Sequence, residues 1–151
     1  MEKTPNPPTD QINAGCYVFR REIIESIPAG VPVSVERDVF PHLLETDCRM
    51  YGHVDSHYWR DMGTPQDFMQ GSADLVQGIA PSPALEGHQG DYLVLPGADV
   101  AETASLQQGT VVGQGAVVGH NDVVTSSVLF DGAVLGDDVV IERSLIGNGA
   151  H

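Results

Sequence analysis

The sequence predicts an α/β segment followed by a partial β-helix of hexapeptide repeats. Across residues 1–80, short apolar runs alternate with amphipathic stretches, two of which open on Ser34 and on Thr64 with Pro65. Residues 81–94 form a connector rich in Pro, Gly and Ser. From 95 to 151 single aliphatics recur every five or six residues among small turn formers, which is the signature of a stacked β array.

Taken in order, MEKTPNPPTD has three prolines and no period, so it reads as an extended loop. INAGCYVF that follows is apolar, β-branched or aromatic, and predicts a buried strand. Gly15 within it marks either a close approach of ligand or backbone, or a bulge. Residues 21–27 predict a short helix with Ile23, Ile24 and Ile27 on one side, stopped by Pro28 and Gly30. Ser34 is placed to cap a second helix, VERDVFPHLLE, with Val35, Val39, Leu43 and Leu44 inward and Pro41 kinking or dividing it. Residues 50–54 and 56–60 read as two strands with Asp55 near their turn.

The stretch YWRDMGTPQDF, residues 58–68, carries the densest local signal. An aromatic pair ends the second strand, Asp61 sits at its exit, and Gly63 permits a sharp turn. Thr64 suits an N-cap, Pro65 the first helical position, and Asp67 a capping box. The helix that follows has Phe68, Ser72, Leu75, Val76 and Ile79 as its apolar stripe and ends near Gly78. Beyond the connector, Val100, Leu106, Val112, Val118, Val124, Leu129, Leu135, Ile141 and Ile146 form the repeat series, with VVGQGA and VVGHND as its clearest copies. Each unit predicts one short strand and a turn, three units make a coil, and the aliphatics point inward.

Composition narrows the function. A formal charge of −14 with seven Lys and Arg argues against nucleic acid, which is bound through clustered cations. Lys3 is the only lysine, so a phosphorylated small molecule has few cations to meet. Cys16 and Cys48 are too few and too far apart for a disulfide framework or a zinc site, and read as small buried hydrophobes. There is no apolar run of membrane-spanning length and no basic, apolar leader pattern, which reads as a cytoplasmic protein without membrane partners. His53 and His57 are four apart, a metal-binding spacing in a helix but not in strands or across a turn.

The runs EKTPNPPTDQINAGCYVF, SVERDVFPHLL and YWRDMGTPQDF, followed by the repeats, resemble the C-terminal part of a sugar-1-phosphate nucleotidylyltransferase, most closely the actinobacterial mannose-1-phosphate guanylyltransferases. The resemblance implies the C-terminal part of a Rossmann-like nucleotidyltransferase domain over residues 1–80 and a partial left-handed β-helix over 95–151. It implies that Glu2 meets sugar hydroxyls and Lys3 the sugar phosphate, as in the EKP motif, with Thr4 here in place of Pro. Asn13, Ala14 and Gly15 match the NAG motif of the sugar pocket. Trp59, Asp61, Gly63 and Thr64 match W.D.GT, whose Asp helps hold Mg²⁺. The implied substrates are a sugar 1-phosphate and a nucleoside triphosphate, and the implied catalytic residues are Lys3 and Asp61.

The glycine-rich GxGxRxxP loop and the second metal-binding Asp of that family have no counterpart in these residues. The expectation is therefore a fragment holding the sugar side of the site, without turnover alone. Two other classes compete. A hexapeptide-repeat acyltransferase would use His120 as base, and a non-catalytic partner would use the β-helix for oligomerisation or regulation of a full-length enzyme.

Overall fold

The repeats build a parallel β-solenoid of about three coils. The structure, a computed structural model, describes residues 9–151. Strands β1 (Tyr92–Val94), β4 (Thr110–Val112), β7 (Val128–Leu129) and β9 (Leu145–Ile146) stack in one sheet, and β2 (Asp99–Val100) pairs β5 (Val117–Val118) in a second. The third sheet holds β3 (Ser105–Gln107), β6 (Val123–Thr125) and β8 (Val140–Glu142). Every pairing is parallel.

All nine aliphatics of the repeat series lie in one core. Leu106, Val112, Val118, Val124, Leu129 and Leu135 are buried, and Val100, Ile141 and Ile146 pack against them from the outer coils. Ala116 and Ala133 are fully buried in the same core.

The five-residue steps have a structural cause. Tyr92 pairs with Thr110 and Ser105 with Val123, whereas Val111 pairs with Val128 and Val123 with Val140, so the coil shortens by one residue after the first. At the long corner two consecutive residues, Gln108 and Gly109, have positive φ; at the same corner of the later coils a single residue does, Ser126 and then Arg143. One left-handed residue in place of two removes one position and keeps the aliphatics in register.

The solenoid's acidity is part of its construction. Asp91, Asp131 and Asp137 each accept a backbone N–H from a neighbouring coil, from Gln108 (2.9 Å), Gln114 (2.8 Å) and His120 (2.8 Å). Buried Asp122 takes the amides of Gly119 and Val139, each at 2.8 Å. These carboxylates satisfy donors that the corners leave without ladder partners. Thr110 and Ser127, also buried, do the same for carbonyls: the Thr110 hydroxyl donates to Gln107 and Val124, and that of Ser127 to Thr125.

Helix α3 (Pro65–Val76) forms as its capping residues predict. Thr64 stands at the N-cap with extended φ and ψ, its Oγ1 accepting the amide of Asp67 at 3.2 Å. The Asp67 carboxylate bonds the Thr64 hydroxyl at 2.6 Å, one methylene too short to close the usual box onto the cap amide. Inward it places Ala73, Asp74 and Val76, while Phe68 stacks on Phe130 at 5.9 Å between ring centres. Ile79, expected in the stripe, is exposed because the chain leaves the helix after Val76.

The chain divides into two compact units at Ser56 and His57. α3 and the connector belong with the solenoid. In the first unit α1 (Arg21–Ser26) forms as expected. Ser34 caps the next helix through its Oγ, but Pro41 splits that helix into a π-helical turn, Val35–Val39, and α2 (Phe40–Glu45). A proline ring clashes with the carbonyl four residues back, and widening the preceding turn relieves it. Val39 and Leu43 are buried, and Leu44, expected inward, is exposed.

The three strands predicted before residue 60 do not form. Residues 12–19, 50–54 and 56–60 have no ladder partner among the described residues, and Val18 (99%), Tyr51 (86%) and Val54 (67%) are exposed. A strand is a pairing and not a local conformation, so apolar alternation alone does not make one. Cys16 and Cys48, expected to be buried, are exposed: Cys16 lies on the first of these runs and Cys48 in the stretch after α2. No helix among the described residues is long and apolar enough to cross a membrane.

Gly109 tests the seat of α3 on the solenoid. Its φ is +78°, and an added Cβ would stand 2.3 Å from that of Ala73. Gly109→Ala is expected to lower the unfolding free energy by about 2–4 kcal/mol, from overpacking and left-handed strain together. Gly136→Ala, with open space and no positive φ, is expected to change it by less than about 0.5 kcal/mol. Urea denaturation followed by circular dichroism compares the two.

Candidate functional site

Asp61 lies on an extended segment laid along α3. Tyr58, Arg60 and Met62 all meet the helix, which is the alternation of an extended chain. The Tyr58 hydroxyl donates to Asp74 Oδ2 at 2.7 Å, and Arg60 Nε reaches the same oxygen at 3.2 Å. Arg60 also stands 3.8 Å from Asp67 in the first turn of α3. Met62 covers Gly71, where an added Cβ would lie 2.6 Å from the Met62 methyl. Trp59 and Asp61, the intervening residues, are exposed, Trp59 to 48%. Gly63, expected to permit a sharp turn, does not adopt a positive φ, and an added Cβ would stand 3.7 Å from the Asp61 carboxylate, an ordinary contact, so neither backbone nor space requires a glycine there.

Asp74 is the centre of this arrangement and is only 4% exposed. Its other oxygen accepts Gln70 Nε2 at 2.8 Å. Burial by itself raises the acid's pKa, yet the hydrogen bonds from Gln70 and Tyr58 and the Arg60 charge outweigh it and hold Asp74 below the ordinary carboxylate range. Tyr58 is shifted upward, by burial and by the Asp74 carboxylate it faces.

In the first unit, the NAG residues form a loop of their own. Asn13 Oδ1 accepts the Gly15 amide at 2.9 Å, and Gly15 takes φ +72°, a left-handed turn that suits glycine. The Asn13 amide nitrogen donates to the Tyr17 hydroxyl (2.6 Å) and to Glu36 Oε1 (2.8 Å), and Tyr17 donates to the same Glu36 oxygen at 2.9 Å. Both amide hydrogens of Asn13 are therefore committed to holding the loop. The Tyr17 ring meets Phe40 edge-on at 5.2 Å, tying the loop to α2.

Of the residues singled out from sequence, Asn13, Ala14 and Gly15 stand together in the first unit, and Trp59 and Asp61 together in the second. Glu2 and Lys3 lie outside the described residues. His120 sits exposed at a solenoid corner, its amide bonded to Asp137 and its ring 3.3 Å from Thr103. Sequence reasoning missed Tyr17, Glu36, Arg60 and Asp74. The one available signal for Asp74 was a charged residue on the apolar side of α3, between Ser72 and Leu75. Among the described residues no three His, Cys, Asp or Glu side chains gather as a metal site. Asp61 offers one accessible carboxylate, a hard oxygen donor that suits a cation completing its shell with water and substrate oxygens.

Residues 1–78 match the family described as nucleotidyl transferase. The chain belongs to that family. It is 61% identical over 144 residues to a mannose-1-phosphate guanylyltransferase of Mycobacterium tuberculosis, covering 95% of this chain and 40% of the relative. A mannose-1-phosphate guanylyltransferase catalytic subunit beta of Drosophila pseudoobscura is 33% identical over 107 residues, 68% of this chain and 28% of that protein. A mannose-1-phosphate guanyltransferase of Saccharomyces cerevisiae is 32% identical over 80 residues, 53% of this chain and 22% of the other. The chain thus spans 40% or less of the length of these relatives. The family generally uses a divalent metal.

Because Asp74 is more acidic folded than unfolded, its contribution to stability is present above the unfolded carboxylate range and is lost as pH falls through the folded value. Melting temperature measured across the acid range is expected to fall more steeply for the unaltered chain than for Asp74→Asn, which has no carboxylate to protonate. Thr64→Ala, which removes the cap, is expected to cost about 1 kcal/mol by the same thermal measurement.

Proposed function

We propose that this chain supplies the sugar-phosphate side of a mannose-1-phosphate guanylyltransferase, in which GTP and mannose 1-phosphate give GDP-mannose and pyrophosphate. The single observation that carries the reading is 61% identity to the mycobacterial enzyme over 95% of the chain. An oxygen of the sugar phosphate attacks the α-phosphorus of GTP, the bond from that phosphorus to the β-phosphate oxygen breaks, and pyrophosphate leaves. Two polyanions must meet for this, so the barrier is largely electrostatic.

Lys3 holds the sugar phosphate by charge, and Glu2 accepts from sugar hydroxyls. The loop of Asn13, Ala14 and Gly15 shapes the sugar pocket. With the Asn13 amide hydrogens already donated to Tyr17 and Glu36, recognition there falls to the loop backbone and to the second lone pair of Asn13 Oδ1. Trp59 supplies a flat apolar wall. Asp61 is the residue that would hold Mg²⁺, and the ion would neutralise the phosphates and align them for in-line displacement.

A chimera decides the matter, with the matched segment of the Mycobacterium tuberculosis enzyme replaced by this chain. It is expected to form GDP-mannose from GTP and mannose 1-phosphate in the presence of Mg²⁺, while the 151-residue chain alone does not. Asp61→Asn in the chimera is expected to lower kcat by about 10²-fold or more, the scale for losing an electrostatic contact to a reacting phosphate. An inactive chimera, or one that prefers another sugar phosphate, would refute the assignment.

A further inference from the structure

Asp74 is thirteen positions beyond Asp61 and belongs to no recognised motif, yet it accepts from Tyr58, Arg60 and Gln70 at once. We propose that Asp74 is a positioning residue for the Asp61 site: through Tyr58 and Arg60 it locks the segment 58–62 in one register on α3, so that Trp59 and Asp61 are presented in a single orientation. The chemical consequence rests on the guanylyltransferase reading; the geometric one does not.

Three features support the role. A charge buried to this degree gives little net cohesion, since an apolar residue of similar size would hold the helix as well or better; what a paired charge adds is a unique geometry. The contacts come from alternate residues on either side of Asp61. Tyr58 and Arg60 share Asp74 Oδ2, at 2.7 and 3.2 Å, and Met62 closes over Gly71 one turn earlier on the helix. A slip of the segment by one residue would bring Trp59 and Asp61 onto α3 and break every one of these contacts. Finally, Arg60 reaches back to Asp67 at 3.8 Å, so the residue next to Asp61 is tethered both at the capped end of α3 and in its last turn. Loss of such a tether moves a reactive group without removing it, and displacements of about 1 Å cost on the order of 10²-fold in rate.

Trp59 is the only tryptophan in the sequence, so its fluorescence reads the segment directly in the 151-residue chain. In Asp74→Asn, acrylamide quenching of Trp59 is expected to rise about twofold and its anisotropy to fall, with the far-UV circular dichroism of the solenoid preserved, as for a local release of structure. In the chimera the same substitution is expected to lower kcat by about tenfold or more while the KM for mannose 1-phosphate stays within about twofold, since an interaction that acts only on the reacting geometry appears in kcat. Arg60→Lys, which keeps an ion pair, should recover most of the activity that Arg60→Met loses. A folded Asp74→Asn chain with unchanged quenching would overturn the proposal, as would a loosened Trp59 with unchanged kcat in an active chimera. If Asp74→Asn does not fold, Tyr58→Phe and Arg60→Met put the same two questions. Should the unaltered chimera be inactive, the function assigned above fails, and the quenching result alone still decides whether Asp74 positions Trp59 and Asp61.

Discussion

At the Gly109 corner the solenoid backbone comes so close to α3 that one added carbon would lie 2.3 Å from the Ala73 Cβ. Only a glycine permits that approach, and the second unit is organised by it. The helix seated there stacks Phe68 on Phe130 and turns Asp74 toward the segment that carries Asp61. The position of the proposed metal-binding acid is thus inherited, step by step, from a coil of the solenoid. A β array that looks like an appendage in the sequence is the platform on which the segment bearing Asp61 rests.

Charge plays two opposite parts in this chain. Around the solenoid, aspartates stand at corners and accept backbone amides of the neighbouring coil, which uses negative charge to finish a fold without cations. On α3, Asp74 does need a cation, and Arg60 is one of only seven Lys and Arg in the chain. Scarcity makes that pairing specific: few other positive groups can compete for the buried carboxylate. The same scarcity makes Lys3 and a divalent ion the natural partners for substrate phosphates in the proposed reaction.

What could be read in advance follows from how local each feature is. The repeat series needed no partner outside its own period, and all nine aliphatics stand in the core. The Thr64, Pro65 and Asp67 cap is decided within four residues, and it forms. By contrast, the apolar runs at 12–19, 50–54 and 56–60 depend on neighbours to pair with, and the described residues provide none. The Asn13 loop was legible as a motif, but its supports were not. Glu36 reaches Asn13 across 23 positions and Asp74 reaches Tyr58 across 16, distances over which no helical or strand period operates.

By itself the sequence determined the solenoid, its three strands to a coil, the capped helix and the family motifs, because each is written in a short repeat or in adjacent residues. The tertiary structure decided the rest. It showed that the coils shorten where one left-handed residue replaces two, that α3 rests on the solenoid through a glycine, and that Tyr58 and Arg60 converge on a buried Asp74. These depend on backbone curvature and on side chains meeting from distant positions, and such meetings are settled by packing in three dimensions.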